Sequence, residues 1–150
     1  MIDQAIEPLL FDKTTEVTTL IKHIQTLKEL RSPDIVKVVF DYNNYALYFS
    51  RAPIPFTRSA ISDSAALDIT DYYKHIGLYV YRRKALLKFT SLKQTDLEKT
   101  EMLEQLRMLE NEIKIKVVET EYESISVDTQ EDLKRARTYY KWLQKREKEK

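Results

Sequence analysis

The sequence predicts an α/β fold: a mixed β-sheet flanked by helices and carrying one β-hairpin. Three observations predict it. Strand-like and helix-periodic runs intermix along the chain, the pattern of a sheet covered by helices. Val36 to Phe40 and Tyr45 to Ser50 are apolar runs joined by the polar stretch Asp41-Tyr-Asn-Asn44, which is a hairpin signal. The second of these runs ends at Pro53 and Pro55, residues that cannot donate to a sheet ladder.

Each element has its own local reason. Ile2, Ala5, Ile6, Leu9 and Leu10 fall at helical spacing, with Asp3 as the only cap candidate. Val17 to Ile24 is rich in β-branched residues and alternates, so it reads as a strand. Thr26 caps a short helix that Ser32-Pro33 closes. Thr57 to Asp71 is small and polar, the composition of a loop with at most one helical turn. Tyr72 to Arg82 alternates as a central strand, and Gly77 within it predicts a close approach to the backbone. Arg83 to Phe89 continues as a short helix. Asp96 to Glu110 predicts the clearest helix, with Leu97, Met102, Leu103, Leu106 and Leu109 as its apolar stripe. Glu98, Glu101, Glu104 and Gln105 crowd its first turns, where the helix dipole favours carboxylates. Ile113 to Val118 is a strand, Val127 to Leu133 opens a last helix, and the charged residues 141–150 are expected to fray.

Composition narrows the function. The chain has 150 residues, enough for one domain, with 43% hydrophobic and 33% charged residues. A net charge of +1 gives no electrostatic reason to expect a nucleic-acid partner. Without cysteine there is neither a disulfide framework nor a thiolate metal site. No apolar run approaches a membrane span and no signal-peptide pattern opens the chain, so no membrane partner and a cytoplasmic location are expected. The chain holds a single glycine where average usage would supply about ten. Glycine-rich phosphate cradles are therefore absent, and a nucleotide site built from this chain alone would be incomplete.

Candidate site residues cluster where the hairpin ends. Arg51 and Arg58 flank a stiff Pro-Ile-Pro turn. Such a pair can clamp a carboxylate or phosphate, and is equally compatible with two surface charges. His75 and Tyr79 lie four apart on one strand and share a face, either as core residues or as hydrogen-bonding groups. Asp128 and Glu131 fit a capping box for the last helix. His23 has no ligand-spaced neighbour, and a structural or solvent-facing role is expected.

Four segments, in order, resemble the 3-deoxy-manno-octulosonate cytidylyltransferase (CMP-KDO synthetase) family. They are Tyr48-Phe-Ser-Arg-Ala-Pro-Ile-Pro55, His75-Ile-Gly-Leu-Tyr-Val-Tyr-Arg82, Leu97-Glu98 with Glu101-Met-Leu-Glu-Gln-Leu-Arg107, and Val127-Asp-Thr-Gln-Glu-Asp-Leu133. The resemblance implies the C-terminal half of a Rossmann-like fold of the nucleotide-diphospho-sugar-transferase type. Residues 1–140 would belong to the domain and 141–150 to a tail. The family's phosphate loop and its Gly-Asp-Glu-Pro segment have no counterpart here. Where the family commonly ends a helix with Asn-Gly, this chain has Asn111-Glu112.

The reaction implied by the resemblance joins the sugar acid KDO to CTP, giving CMP-KDO and pyrophosphate for lipopolysaccharide synthesis. Arg51, Arg58, His75, Tyr79, Glu104 and Gln105 would hold the sugar acid, with Glu104 and Gln105 beginning the exposed part of their helix. Asp128 would supply one ligand to Mg2+, and no residue of this half is certainly catalytic. A homodimer, and a separate N-terminal half as partner, are implied as well. The alternative is a non-catalytic sugar-acid-binding or dimerisation fragment that has lost the nucleotide half.

Overall fold

A computed structural model of the chain describes residues 1–60, 63–122, 127 and 130–148. The elements run α1 (Ile2–Phe11), β1 (Val17–His23), α2 (Leu27–Arg31), β2 (Lys37–Phe40), β3 (Ala46–Ser50), α3 (Asp63–Ile69), β4 (Tyr73–Tyr81), α4 (Arg83–Ser91), α5 (Asp96–Glu101), α6 (Gln105–Glu110), β5 (Ile115–Glu119) and α7 (Gln130–Lys148). They form the predicted mixed sheet, in the order β3-β2-β4-β1-β5. The β1/β5 pair is parallel and the other pairs are antiparallel.

The hairpin forms as its turn residues require. Asp41 Oδ1 accepts from the backbone of Asn43 at 2.9 Å and of Tyr45 at 2.8 Å. Asn44 takes the left-handed conformation, φ 62°, which its short polar side chain tolerates. The turn then reaches β5, where Val117 N–H donates to Asn44 O at 2.8 Å.

The central strand β1 is buried on both faces from Val17 to Ile21, so the expected alternation of buried and open positions is not what places it. One face carries Leu20, packed with Ile76, Leu78, Val80 and Val118 against Ala5 of α1. The opposite face carries Val17 and Ile21, packed with Val38, Phe49, Ala85, Leu103, Leu106 and Met108 beneath the helical layer. A third cluster, Ile24, Leu30, Ala66 and Tyr72, closes the end of the sheet under α2 and α3. Ala66 is how the Thr57 to Asp71 stretch differs from expectation. Its seven-residue helix α3 is anchored by burying that alanine.

Three further expectations are corrected. The single helix predicted over Asp96 to Glu110 breaks at Met102, which is left-handed at φ 54° and 73% exposed. Leu103 N–H reaches back to Glu98 O at 3.2 Å, and the chain restarts as α6. The close approach expected at Gly77 is not made by the described residues. No atom lies within 4 Å of where its Cβ would stand. The glycine instead sits in an irregularity of β4, where pairing to β1 jumps from Thr19↔Tyr79 to Leu20↔Ile76. Finally, α7 runs through Lys148, past the expected onset of fraying at Lys141. Glu112 does adopt the left-handed cap, at φ 58°, a conformation costing a non-glycine residue about 1 kcal/mol.

Candidate functional site

The site is built on the face of β4 that looks toward α6. The Thr19 hydroxyl, fully buried, lies 2.9 Å from His75 Nε2, 2.9 Å from Leu78 O and 3.2 Å from Ile76 O. A hydroxyl has one hydrogen, and the two carbonyls can only accept it. The network therefore assigns the imidazole hydrogen to Nε2, donating to Thr19, and leaves Nδ1 as an acceptor. Burial lowers the His75 pKa to about 4, so the ring is neutral at physiological pH. It packs between Phe49 and Tyr79, with ring centroids 5.2 Å from each.

Tyr79 continues the row. Its ring stacks on Tyr81 at 5.8 Å, and Tyr81 stacks on Phe89 at 6.0 Å. Burial first, and the charge of Glu104 second, raises the Tyr81 phenol to about 12. Burial also holds the Tyr79 phenol well above its ordinary value, with Tyr81 and Glu104 adding to the effect. The Tyr79 hydroxyl is buried without a hydrogen-bond partner among the described residues. A hydrogen bond with Thr19, whose oxygen keeps a second lone pair, works against that rise but falls outside ordinary hydrogen-bond geometry. An orphaned buried hydroxyl costs about 1–3 kcal/mol. In a native fold such an atom is explained by a bound water, a ligand or local strain.

His75 and Tyr79 are in ring contact, and the charge of Glu104 is felt by Tyr79 and Tyr81. Glu104 is exposed at the start of α6. Gln105 differs from expectation, being only 6% exposed because the elbow at Met102 turns it inward. Arg51 is also not a free clamp. Its Nε donates to Glu101 O at 2.8 Å, Nη1 to Pro33 O at 2.8 Å and Nη2 to Met102 O at 3.3 Å. Arg58 lies in the turn Thr57–Ala60, exposed and without a partner among the described residues. Asp128 lies outside the described residues. His23 is partly exposed and pairs with Asp71 at 3.0 Å.

Several residues that matter here were not singled out from sequence for this role. Glu101 receives Ser50 Oγ at 2.6 Å and Arg51 N–H at 2.9 Å. Lys37 is fully buried, and its ammonium donates to Ser32 O at 2.9 Å, to Ile35 O at 2.6 Å and to Arg51 O. Thr19 could have been suspected as a hydroxyl inside an apolar strand. Glu101 carries no local signal, since Ser50 and Arg51 are some fifty residues away, and Lys37 draws two of its three partners, Ser32 and Ile35, from its own approach to β2. Among the described residues no group of three His, Asp or Glu side chains could hold a metal ion, and none of their helices is long and apolar enough to cross a membrane.

Comparison with known proteins fits this arrangement. A family model described as Cytidylyltransferase matches residues 1–115. A 3-deoxy-manno-octulosonate cytidylyltransferase of Pelobacter propionicus is 51% identical over 148 residues, covering 96% of this chain and 58% of that protein. One of Geotalea uraniireducens is 52% identical over 139 residues, covering 90% of this chain and 55% of that protein. A solved structure of CMP:2-keto-3-deoxy-manno-octonic acid synthetase complexed with CTP matches at a TM-score of 0.85. It is 32% identical, and the match covers 95% of this chain and 56% of that one. The chain therefore spans little more than half the length of the curated relatives it matches. The chain belongs to the cytidylyltransferase family, in which the relatives named here are 3-deoxy-manno-octulosonate cytidylyltransferases.

Proposed function

We propose that this chain is the sugar-acid side of a 3-deoxy-manno-octulosonate cytidylyltransferase, which joins KDO to CTP. In that reaction the anomeric oxygen of the sugar acid bonds to the α-phosphorus of CTP. The bond from the α-phosphorus to the oxygen bridging it to the β-phosphorus breaks, pyrophosphate leaves with that oxygen, and the anomeric hydroxyl's proton passes to solvent. The observation that carries the reading is the buried Tyr79 hydroxyl, without a partner of ordinary geometry among the described residues, beside a neutral His75. A polyol supplies both donors and acceptors, and so satisfies a phenol and an imidazole acceptor together. Glu104 accepts from sugar hydroxyls at the rim, and Gln105 supports the same edge from inside. Arg58 offers a planar pair of donors to the sugar carboxylate. Arg51 contributes by holding the elbow before Glu104.

The described residues do not themselves form a metal site. Magnesium would neutralise phosphate charge in such a reaction. Asp128 is the one ligand this chain would offer, with the others, and the CTP-binding groups, in the part of the relatives that this chain does not span. A homodimer and a cytoplasmic setting belong to the same reading.

The test is complementation. The chain is mixed with the remaining portion of one of the relatives, and formation of CMP-KDO and pyrophosphate from CTP and KDO is followed with magnesium present. The chain alone should bind KDO and form no product, and the mixture should form it. Turnover by the chain alone would refute the division of labour. No KDO binding and no product from the mixture would refute the function.

A further inference from the structure

We propose that Glu101 is a positioning residue of this site, acting through the Ser50–Arg51 strand end to fix the elbow that presents Glu104. The proposal deepens the sugar-acid reading and rests on it. Glu101 touches none of His75, Tyr79 or Arg58 through a hydrogen bond, so its role is indirect.

The geometry is a reciprocal clasp between the end of β3 and the α5–α6 elbow. Both carboxylate oxygens of Glu101 are engaged, Oε1 by the Ser50 hydroxyl at 2.6 Å and Oε2 by the Arg51 N–H at 2.9 Å. In return, the Arg51 guanidinium holds the carbonyls of Glu101 at 2.8 Å and Met102 at 3.3 Å, the carbonyls a helix end leaves open. The Arg51 carbonyl is itself held by the buried Lys37 ammonium, whose other donors go to Ser32 and Ile35. The strand end is thereby pinned from below and the elbow from one side.

The clasp answers a question the local sequence poses. Met102 is left-handed at φ 54° and 73% exposed. A methionine gains nothing from that conformation and buries little there. Something outside the segment must hold the turn, and the contacts from Arg51 to the two carbonyls do so. The turn matters because the next residues divide sharply. Leu103 and Leu106 enter the core, Gln105 is buried, and Glu104 is left exposed, with its charge felt by Tyr79 and Tyr81. If the helix ran straight through Met102, those four residues would be rotated relative to β4 and Glu104 would leave the site. Charge-assisted bonds of this kind are directional as well as strong, which suits them to fixing an angle.

The experiment uses the chain as it is, with Glu101→Gln, Glu101→Ala and a control, Glu29→Gln. The control disrupts the Glu29–Lys74 ion pair (2.5 Å) at another part of the fold. KDO affinity is measured by titration calorimetry at a temperature where every variant is folded. Amide hydrogen exchange is followed over residues 102–107. The expected result for Ala is about ten-fold weaker KDO binding, with Gln intermediate because it keeps one acceptor. Exchange should accelerate at 102–107, and the control should bind KDO like the unmodified chain. Unchanged affinity in both Glu101 variants overturns the positioning role, as does an equal loss in the Glu29 control, which would mark general destabilisation. If the unmodified chain binds no KDO, the sugar-acid reading itself falls and this proposal falls with it.

Discussion

Acidification should unfold this protein through His75, and the size of the effect follows from its burial. The imidazole titrates near 6.5 in an unfolded chain and at about 4 in the fold. A base whose folded pKa is depressed binds more protons when unfolded, so acid favours the unfolded state. Its contribution is fully present above pH 6.5 and is lost as pH falls toward 4. Each pKa unit is worth about 1.4 kcal/mol, so the loss attributable to His75 is about 2 kcal/mol between pH 7 and pH 5 and about 3 kcal/mol by pH 4. The perturbation that isolates it is His75→Gln, which keeps a polar group able to accept from or donate to Thr19 but cannot titrate. Urea unfolding is measured for both proteins from pH 7 to pH 4.5. Groups other than His75 are common to both proteins, so the difference between the two profiles reports His75 alone. The unmodified profile should fall more steeply by about 2 kcal/mol between pH 7 and pH 5, and the imidazole should titrate well below 6 by NMR. Parallel profiles would refute the buried, neutral ring, and with it the assignment of Nδ1 as an acceptor for a ligand.

Other perturbations test the remaining parts of the site. Tyr79→Phe removes a buried hydroxyl that has no partner of ordinary geometry among the described residues, so urea unfolding should show unchanged stability or a gain of about 1 kcal/mol, while KDO affinity falls. A loss of stability would show that the hydroxyl is satisfied inside the chain. Gly77→Ala meets no atom within 4 Å and no positive φ. Melting should therefore show unchanged stability or a gain of about 0.4–1 kcal/mol, and marked destabilisation would mean that packing or strain demands the glycine. Arg58→Ala should change stability by no more than about 0.5 kcal/mol and weaken KDO binding by about ten- to a hundred-fold. Arg58→Lys should recover only part of that affinity, since an ammonium lacks the planar fork. Equal KDO affinity in all three versions would return Arg58 to a surface charge.

Most of the fold was legible because local rules and tertiary packing agree along most of the chain. The hairpin is the clearest case: Asp41 and Asn44 have side chains suited to the turn they form. Two apolar runs beside them could do little but pair. Where the reading missed, distant groups had overridden a local pattern. Thr57 to Asp71 has too few large apolar residues to look helical, and Ala66, buried against Ile24, Leu30 and Tyr72 with Leu67 packed beside it, seats α3. Asp96 to Glu110 has helical periodicity throughout, and breaks because Arg51, some fifty residues upstream, holds the two carbonyls at the break.

The same division explains the site. His75 and Tyr79 could be placed together from spacing alone, since residues four apart on a strand share a face whatever surrounds them. What the spacing could not show is how close they come. A regular strand separates such residues by roughly 13 Å, yet the two rings lie 5.2 Å apart. The break in register that leaves Gly77 and Leu78 without partners in β1 accompanies that approach. Arg51 and Glu104 were legible as chemistry but not as geometry, because a guanidinium serves equally well to bind a substrate anion or to cap a helix end. Only the carbonyls of Pro33, Glu101 and Met102 decide between them, and none is near Arg51 in sequence. The break at Met102 is held by Arg51, and the irregularity at Gly77 accompanies the close packing of His75 on Tyr79.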